Sequence, residues 1–422
     1  MNVLTKHHDH TGSTAGCGPL LPSREASRPL RQEVFEHVRA HGLAARADIT
    51  HALDISAGSA TTLTADLIAS GLLREVQSAP RETGRGRPRV DLEVVAEAAY
   101  VIGIKLSLSR HSAVLADFAG NVIASSTLPS HEARRNLADL LSETEMLIET
   151  LIETSPVSRA DVKAIGIGLP GIIDHSTGRV AWSSLLAERD ERMAAVFSDH
   201  FAIPVALDND ANMVTLAELW FGEGRAMADF AVVTIESGVG MGLVLGNEIY
   251  RGAHGMGMEL GHTKVQLDGA LCRCGQRGCL EAYVADYALT REAATALDRG
   301  FDRTAPDEDV LVALMEQARS GNASAETIFR RASRYLSLGL SNVVQLFDPA
   351  LIILSGQRVQ LDHFFTEDVV EAMQKLTLTE GRKPCRVAVN AWGDLVWARG
   401  ASALALSVMT DALIAGGDAR AA

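Results

Sequence analysis

Apolar residues recur at helical spacing through the N-terminal part of the chain, from about residue 28 to residue 76. Leu30, Val34 and Val38 are four residues apart, which predicts the buried face of a first helix that ends at Gly42. A second, short helix is predicted from Arg46 to Leu53. The first fifty residues after the N-terminal segment are therefore expected to be helical.

Ser56 predicts the start of a third helix, because its side chain is a good N-cap. This helix is expected to end at Ser70-Gly71, and a short strand is predicted at 72–76. Its apolar face consists of Ala60, Leu63, Leu67 and Ile68. Three short helices with a tight link before the third, followed by a strand, are typical of a winged helix-turn-helix, which we expect at 28–83. An ordinary three-helix cap is the alternative.

From Tyr100 onward, short apolar runs alternate with helical stretches, which is typical of an α/β fold. The predicted strands are Tyr100–Leu106, His111–Asp117, Asn121–Ser126, Ala164–Gly168, Val205–Asp208, Phe230–Ile235, Gly242–Leu245, Leu351–Leu354 and Arg386–Asn390. Hairpins followed by helices occur twice, so we expect two lobes, 97–225 and 226–410, with a C-terminal segment that returns to the first lobe. Residues 1–27 are expected to form a disordered tail and residues 411–422 a second tail.

The composition is that of an ordinary globular protein, with 422 residues, 47% hydrophobic and 22% charged. It excludes a disordered, collagenous or coiled-coil chain. No apolar run reaches the roughly 18 residues that a spanning helix needs, and the N-terminus is polar where a secretory signal needs an apolar core. We therefore expect a cytoplasmic protein with no membrane partner.

The net charge of −14 argues against a nucleic-acid partner for the chain as a whole, but the charge is uneven. Residues 1–91 carry 11 Lys plus Arg and 10 Asp plus Glu, which gives +1, so the rest of the chain carries −15. This asymmetry permits DNA binding by the N-terminal part alone. The sequence Gly-Arg-Gly-Arg-Pro-Arg opens a basic linker at 84–96, and Arg85 and Arg87 are expected to enter a narrow minor groove. A basic linker without DNA contacts is the alternative.

Three of the five cysteines lie within eight residues, with nine residues separating the first of them from a histidine, and suggest a metal site. The predicted ligands are His262, Cys272, Cys274 and Cys279. Three thiolates and one imidazole suit tetrahedral zinc, and four protein ligands leave no open position, so the site would be structural. A redox pair, or cysteines unrelated to one another, is the alternative.

Carboxylates near predicted loops indicate a second site. Asn209 and Asp210 follow a predicted strand, where ligands bind in open α/β sheets, and Asp210 could deprotonate a hydroxyl. Taken alone, Asp210 is more often a helix cap. Glu259 and Glu281 lie beside the cysteine motif, and carboxylates, an amide and an imidazole together suit recognition of a polyol.

With these motifs the chain resembles the ROK family (repressors, open reading frames and kinases). The matching segments are Gly-Leu-Pro-Gly at 168–171, Asn-Asp-Ala-Asn at 209–212, Glu-Leu-Gly-His at 259–262 and Cys-Arg-Cys-Gly-Gln-Arg-Gly-Cys-Leu-Glu at 272–281. The resemblance covers roughly residues 30–405. It implies a two-lobed, actin-like ATPase (ribonuclease H-like) fold behind the winged helix-turn-helix.

The resemblance also implies roles for individual residues. Zinc would be held by His262 and the three cysteines, one ion per chain. Asp210 matches the base that activates the sugar hydroxyl in family kinases. The residues that match sugar contacts, and hence the expected effector-binding set, are Asn209, Asp210, Glu259, His262 and Glu281.

Departures from the kinase pattern favour a regulator. The family's Gly-x-Asp-x-Gly-Gly-Thr stretch is replaced at 103–109, where Lys105 stands for the Asp and Ser107 and Leu108 stand for the two glycines. The second phosphate loop, 236–242, begins with Glu236. A separate departure concerns the ligand: the Asn with which family members touch the sugar after the Gly-Leu-Pro-Gly strand is missing around residues 182–186, which points to an unusual ligand. Asp210 is then a vestigial base, and we expect no enzymatic activity.

We therefore predict a ligand-responsive transcriptional regulator, a repressor of carbohydrate genes. Its expected partners are a double-stranded DNA operator, a small carbohydrate effector and further copies of the chain in a homodimer or homotetramer. The expected DNA contacts are Ser56, Ser59, Thr61, Thr62, Arg85 and Arg87. The alternatives are an ATP-dependent ROK sugar kinase with an accessory DNA-binding head, and a catalytically dead scaffold.

Overall fold

A computed structural model describes residues 6–8, 16–22, 28–77, 90–130, 134–293, 296–297, 307–356, 367–378, 380–381 and 383–418. The chain divides into two compact units. The larger unit comprises His10–Ala228, Gly246–Ile249 and Asp394–Ala422, and the smaller unit comprises Met1–Asp9, Asp229–Leu245 and Tyr250–Gly393. The division falls three residues after the predicted lobe boundary, and Asp394–Ala422 groups with the larger unit.

The helices are α1 (Leu30–His41), α2 (Arg46–Ala52), α3 (Ala57–Ala69), α4 (Leu137–Glu153), α5 (Met193–Phe201), α6 (Asp210–Phe221), α7 (Glu281–Val284), α8 (Asp286–Ala293), α9 (Asp307–Arg319), α10 (Ala323–Phe347), α11 (Glu367–Leu376) and α12 (Val396–Asp418). The strands are β1 (Lys6–His8), β2 (Ala44–Ala45), β3 (Leu73–Gln77), β4 (Val90–Val94), β5 (Tyr100–Lys105), β6 (Arg110–Asp117), β7 (Val122–Pro129), β8 (Val162–Leu169), β9 (Gly171–Asp174), β10 (Arg179–Ser183), β11 (Val205–Asn209), β12 (Phe230–Ile235), β13 (Val239–Leu245), β14 (Glu248–Ile249), β15 (Leu351–Ser355) and β16 (Arg386–Ala391).

The N-terminal head consists of α1, α2 and α3 with a three-stranded antiparallel sheet in the order β2-β4-β3. The predicted helices are all present, and Ser56 caps α3 by accepting the backbone N–H of Ser59 at 3.0 Å. Such a cap stabilises a helix by about 1 kcal/mol. The core of the head is fully buried and includes Phe35, Ile49 and Leu92.

One boundary of the head differs from the prediction. Residues 84–96 were expected to be a linker, but residues 90–94 form β4, which pairs with β3 from Val90–Gln77 to Val94–Leu73. Because of this pairing Leu92 is buried in the head. The residues next to Leu92 in the sequence do not indicate that it is buried. The linker expectation is therefore wrong for residues 90–94.

The larger unit contains a five-stranded sheet in the order β11-β8-β5-β6-β7. β11, β8 and β5 are parallel, and β5, β6 and β7 form an antiparallel meander. α12 packs on β5 and β8 where Gly103 and Gly166 lie side by side in register. A Cβ atom at Gly103 would stand 2.1 Å from the carbonyl oxygen of Ala398, so this close approach requires glycine.

In the smaller unit the strand order is β1-β16-β15-β12-β13, with β1, β16, β15 and β12 parallel and β13 antiparallel. α10 and α11 pack together, and their buried apolar residues join those of the sheet in one core. This core positions the loop after β13 and the helices that follow it.

Both predicted tails are wrong where the structure describes them. Cys17 is buried, and the backbone N–H groups of Cys17 and Gly18 donate to the carbonyl oxygens of Arg39 and Trp220. At the C-terminus α12 continues to Asp418, and Ile414 is buried. These segments are held by partners distant in sequence, which local periodicity does not reveal.

The β9–β10 hairpin and α5 were not predicted. None of the helices in the described residues is long and apolar enough to cross a membrane.

Candidate functional site

The four predicted metal ligands lie together in the smaller unit. One ligand atom from each of His262, Cys272, Cys274 and Cys279 falls within 4.8 Å of the others. Nδ1 of His262 is 3.7 Å from Sγ of Cys272, and Sγ of Cys274 is 3.7 Å from Sγ of Cys279. A tetrahedral zinc with bonds of about 2.3 Å to sulfur separates two sulfurs by about 3.8 Å. The residues therefore fit a tetrahedral metal ion.

The loop that carries the cysteines depends on glycine at its turns. Gly278 has a φ of +75°, and a Cβ atom there would stand 1.8 Å from the carbonyl oxygen of Gln266. Cys272 and Cys279 are buried, and burial raises the pKa of the Cys272 thiol to about 12. A bound metal would counter this desolvation, because metal ligation requires the thiolate. Lys264 also supports a thiolate, since its Nζ donates to Sγ of Cys279 at 2.9 Å.

Two carboxylates border this cluster, as the sequence predicts. Oε2 of Glu259 is 4.0 Å from Nε2 of His262, so the imidazole presents one nitrogen to the cysteines and the other to Glu259. Oε1 of Glu281 lies 3.5 Å from Sγ of Cys272 and accepts a hydrogen bond from the hydroxyl of Tyr287, at an oxygen–oxygen distance of 3.3 Å. A metal at the cluster would consequently fix His262, Glu259 and Glu281 relative to one another.

Asn209 and Asp210 belong to the larger unit and stand at the junction of β11 and α6. The side chain of Asn209 caps α6 by accepting the N–H of Asn212 at 2.8 Å, and Oδ1 of Asp210 accepts the N–H of Ala211 at 3.0 Å. Burial raises the pKa of Asp210, whereas the positive charge of Lys105 and the backbone hydrogen bond lower it. The side chain that caps α6 is thus that of Asn209 and not that of Asp210. Oδ2 of Asp210 can accept a hydrogen bond from a ligand hydroxyl.

The segment that matches the first phosphate loop is closed on itself. The N–H of Ser107 donates to Nδ1 of the fully buried His111 at 3.2 Å, and Oγ of Ser107 bonds the carbonyl of Arg110. Nε2 of His111 lies 2.9 Å from Oε2 of Glu143, and Nε of Arg135 donates to the other oxygen of that carboxylate. This network ties the 106–110 turn to α4.

The second glycine-rich segment, 236–242, also has internal partners. The N–H of Val239 donates to Oε2 of Glu281 at 3.4 Å, and the N–H of Glu236 donates to the carbonyl of Gly238 at 2.9 Å. The Glu281 carboxylate therefore already accepts the hydrogen bond of the Val239 amide, and its negative charge repels an anion that approaches that amide.

The predicted DNA contacts lie on the head, so far as they are described. Ser56, Thr61 and Thr62 are exposed on the first turns of α3, and Ser59 is half-buried. The hydroxyls of Thr61 and Thr62 donate to the carbonyls of Ala57 and Gly58, so each retains only acceptor capacity for a ligand. Arg85 and Arg87 lie outside the described residues.

The attachment of the head to the rest of the larger unit was not predicted. Arg39 of α1 is buried, donates to Oγ1 of Thr410 at 2.8 Å, and places its guanidinium 4.6 Å from the Trp220 ring centroid. Phe35 stacks on Phe118 with ring centroids 4.9 Å apart. α1 therefore contacts the C-terminal ends of both α6 and α12. Arg39 on the apolar side of α1 was the available signal, because a buried Arg needs partners.

Comparison with known proteins adds to these observations. The sequence profile of the ROK family matches residues 101–408. The xylose repressor of Caldicellulosiruptor bescii is 26% identical over 383 residues, which cover 89% of this chain and 95% of that protein. A ROK family transcriptional regulator described as a homologue of the Escherichia coli MLC protein aligns with a TM-score of 0.75 at 23% identity, over 91% of this chain and 96% of that one. The ROK hexokinase of Thermus thermophilus aligns with a TM-score of 0.63 at 27% identity, over 74% of this chain and 99% of that one.

Proposed function

We propose that this chain, which belongs to the ROK family, is a sugar-responsive transcriptional repressor that releases its operator when a carbohydrate binds. The observation that carries the proposal is a helical head of three helices and a small sheet joined to a ROK domain in one chain. The similarity to the xylose repressor extends over 89% of the chain, whereas the alignment with the hexokinase spans 74%. The extra length favours the repressor over the kinase.

The head is the DNA-binding part in this proposal, acting as a winged helix-turn-helix. α2 and α3 would form the helix-turn-helix, and β3 and β4 the wing. Thr61 and Thr62, as acceptors, suit the amino groups of cytosine or adenine in the major groove. Since α3 has no basic residue, most of the electrostatic affinity is assigned to Arg85 and Arg87.

Each chain supplies one helix-turn-helix, which reads one half-site. We propose that the protein acts as a homodimer or homotetramer on a pseudo-palindromic operator. Arg85→Ala with Arg87→Ala is expected to weaken operator binding and to make the negative slope of log affinity against log salt shallower by about 2, since each lost cation releases about one counterion fewer from the DNA. Arg330→Ala, at an exposed arginine of α10, is the control and should leave both quantities unchanged. A footprint of one isolated half-site would contradict the dimer.

The effector proposal assigns sugar hydroxyls to Asn209, Asp210, Glu259, His262 and Glu281. Carboxylates accept hydroxyl protons, and the second nitrogen of His262 can donate to a hydroxyl oxygen. The metal is proposed to be zinc, which prefers thiolate and imidazole in a closed tetrahedral shell. Zinc would hold His262 in place without contacting the sugar.

We propose that the chain has no sugar kinase activity. Phosphoryl transfer depends on positioning and on stabilising negative charge. The N–H of Ser107 is taken by His111, and the N–H of Val239 faces the Glu281 carboxylate. Two amides in the segments that match the phosphate loops are thereby engaged with protein groups. Asp210 would then serve as a hydrogen-bond acceptor and not as a base.

Coupling between effector and DNA is proposed to run along α6 and α12. α6 begins at Asp210, and its C-terminal end carries Trp220, which Arg39 of the head covers. α12 packs along α6 and bonds the head through Thr410 and Asp411. A shift of α6 on effector binding would therefore change the support under α1. By linkage, operator DNA should weaken effector binding by the same factor.

Glu259→Gln tests this function directly. With a fluorescent operator fragment, the wild type is expected to lose DNA affinity when a sugar from a panel led by D-xylose is added. Glu259→Gln should bind the operator normally and respond poorly, because its amide no longer accepts strongly from a sugar hydroxyl. Glu149→Gln, at an exposed position on α4, is the matched control and should respond like the wild type. A normal response of Glu259→Gln would place the effector elsewhere.

A further inference from the structure

Lys105 shares an edge of the larger unit's sheet with the effector residue Asp210. Lys105 is the last residue of β5 and pairs with Gly168 of β8, and Gly168 pairs in turn with Asp208 of β11. Asp210 follows two residues after Asp208 and opens α6. An ammonium and a carboxylate therefore stand at the carboxyl ends of parallel strands, the edge at which α/β sheets bind ligands.

The ammonium is held by an aromatic ring. Nζ of Lys105 lies 3.3 Å from the ring centroid of Trp397, at the start of α12. A cation against an indole face is attracted by the electron-rich ring, and the attraction strengthens as water is excluded. The half-buried Lys105 is thus confined near the sheet edge and is not a freely mobile surface lysine.

Two other charged residues near α6, Asp208 and Arg399, contact groups other than Asp210. Asp208 bonds the side chain of Asn212 at 2.7 Å, and His175 lies 3.7 Å from Asp208 on its other oxygen. The guanidinium of Arg399 lies over the ring of Phe221, at the far end of α6. Lys105 is the positive charge that stabilises the ionised form of Asp210, and it lowers the pKa that burial raises.

We propose that Lys105 is an effector-binding residue and that, with Asp210, it forms a donor–acceptor pair with no net charge that selects an uncharged polyol. The inference rests on the effector site proposed above. A sugar hydroxyl would donate to the Asp210 carboxylate, and a neighbouring hydroxyl oxygen would accept from the Lys105 ammonium. The two charges offset each other, so a neutral sugar gains both hydrogen bonds, whereas an anionic or cationic sugar meets one repulsive group.

Isothermal titration of the full chain with D-glucose, D-xylose, D-glucuronate and protonated D-glucosamine tests the inference. The wild type is expected to prefer the neutral sugars. Lys105→Met should weaken neutral-sugar binding about tenfold or more, the effect of one lost charged hydrogen bond. Lys105→Arg keeps the cation and the donor, so it should recover most of the affinity.

The charge preferences of two variants separate binding from a merely structural role. Lys105→Met leaves Asp210 as a net negative charge and should shift preference toward glucosamine. Asp210→Asn leaves Lys105 as a net positive charge and should shift preference toward glucuronate. Operator binding without sugar reports folding of each variant, and if Lys105→Met does not fold, Lys105→Gln replaces it in the same comparison.

Each outcome decides between the proposals. Neutral-sugar affinity and charge preference that stay at wild-type values in Lys105→Met or Lys105→Gln overturn the role of Lys105 and leave the effector proposal intact. A wild type that binds its operator but no sugar in the panel overturns the effector site, and the Lys105 inference with it. Opposite shifts in charge preference for the two variants support the pair.

Discussion

Gly103→Ala is expected to destabilise the protein through the contact between β5 and α12. The ideal Cβ position at Gly103 is 2.1 Å from the carbonyl oxygen of Ala398 and 2.2 Å from the backbone nitrogen of Ser402. Ordinary contacts begin near 3.4 Å, so α12 must retreat by roughly 1 Å. Both contacted atoms belong to helix backbone, so no side-chain rotation relieves the overlap.

The magnitude follows from two opposing effects. Overpacking costs about 1–3 kcal/mol, and the upper end applies because the clash is with backbone. Replacing glycine in a strand recovers about 0.5–1 kcal/mol of chain entropy. The net loss is therefore about 2 kcal/mol, which for a unit of this size lowers Tm by about 4–8 °C.

Thermal unfolding followed by circular dichroism measures this difference, with Gly58→Ala as the matched control. Gly58 lies exposed in α3, where a Cβ atom would meet only the Ser56 hydroxyl, at 3.7 Å. Alanine is the better helix former by about 1 kcal/mol, so Gly58→Ala should raise stability. An upward shift of Tm in Gly103→Ala, or equal shifts in the two variants, would contradict the expected clash between β5 and α12.

Three further predictions concern the metal, a half-buried histidine and the phosphate loops. Elemental analysis should find one zinc per chain in the wild type and much less in Cys272→Ser. Cys385→Ser, which changes a buried cysteine outside the cluster, is the control and should keep the zinc. Equal zinc in all three proteins would disprove the site. Burial lowers the pKa of His37 from 6.5 to about 4, so between these values only the unfolded chain binds the proton and stability falls as pH falls. His37→Gln should flatten that decline in urea unfolding, and an unchanged slope would contradict the assignment. In a coupled assay with ATP, Mg²⁺ and hexoses, turnover should stay below about 1 per second, and faster turnover would restore the kinase.

The sequence alone predicted features that depend on neighbours along the chain. The helices of the head follow from four-residue spacing, and the start of α3 follows from Ser56. The close spacing of Cys272, Cys274 and Cys279 predicted a cluster, and the structure brings His262 to it. A short loop leaves few arrangements for its side chains, so local sequence suffices for such a site.

Tertiary structure decided the features that join distant segments. Residues 16–22 lack periodicity, yet Cys17 and Gly18 bond to Arg39 and Trp220, and Thr410 and Ile414 of α12 accept hydrogen bonds from Arg39 and Arg31 of the head. The partners lie some twenty to several hundred residues away, so no local pattern encodes these contacts. The pairing of β4 with β3 and the place of Lys105 beside Trp397 have the same origin. Local propensity determines which segments become helices and strands, whereas burial against remote partners determines which ends stay ordered and which charges meet.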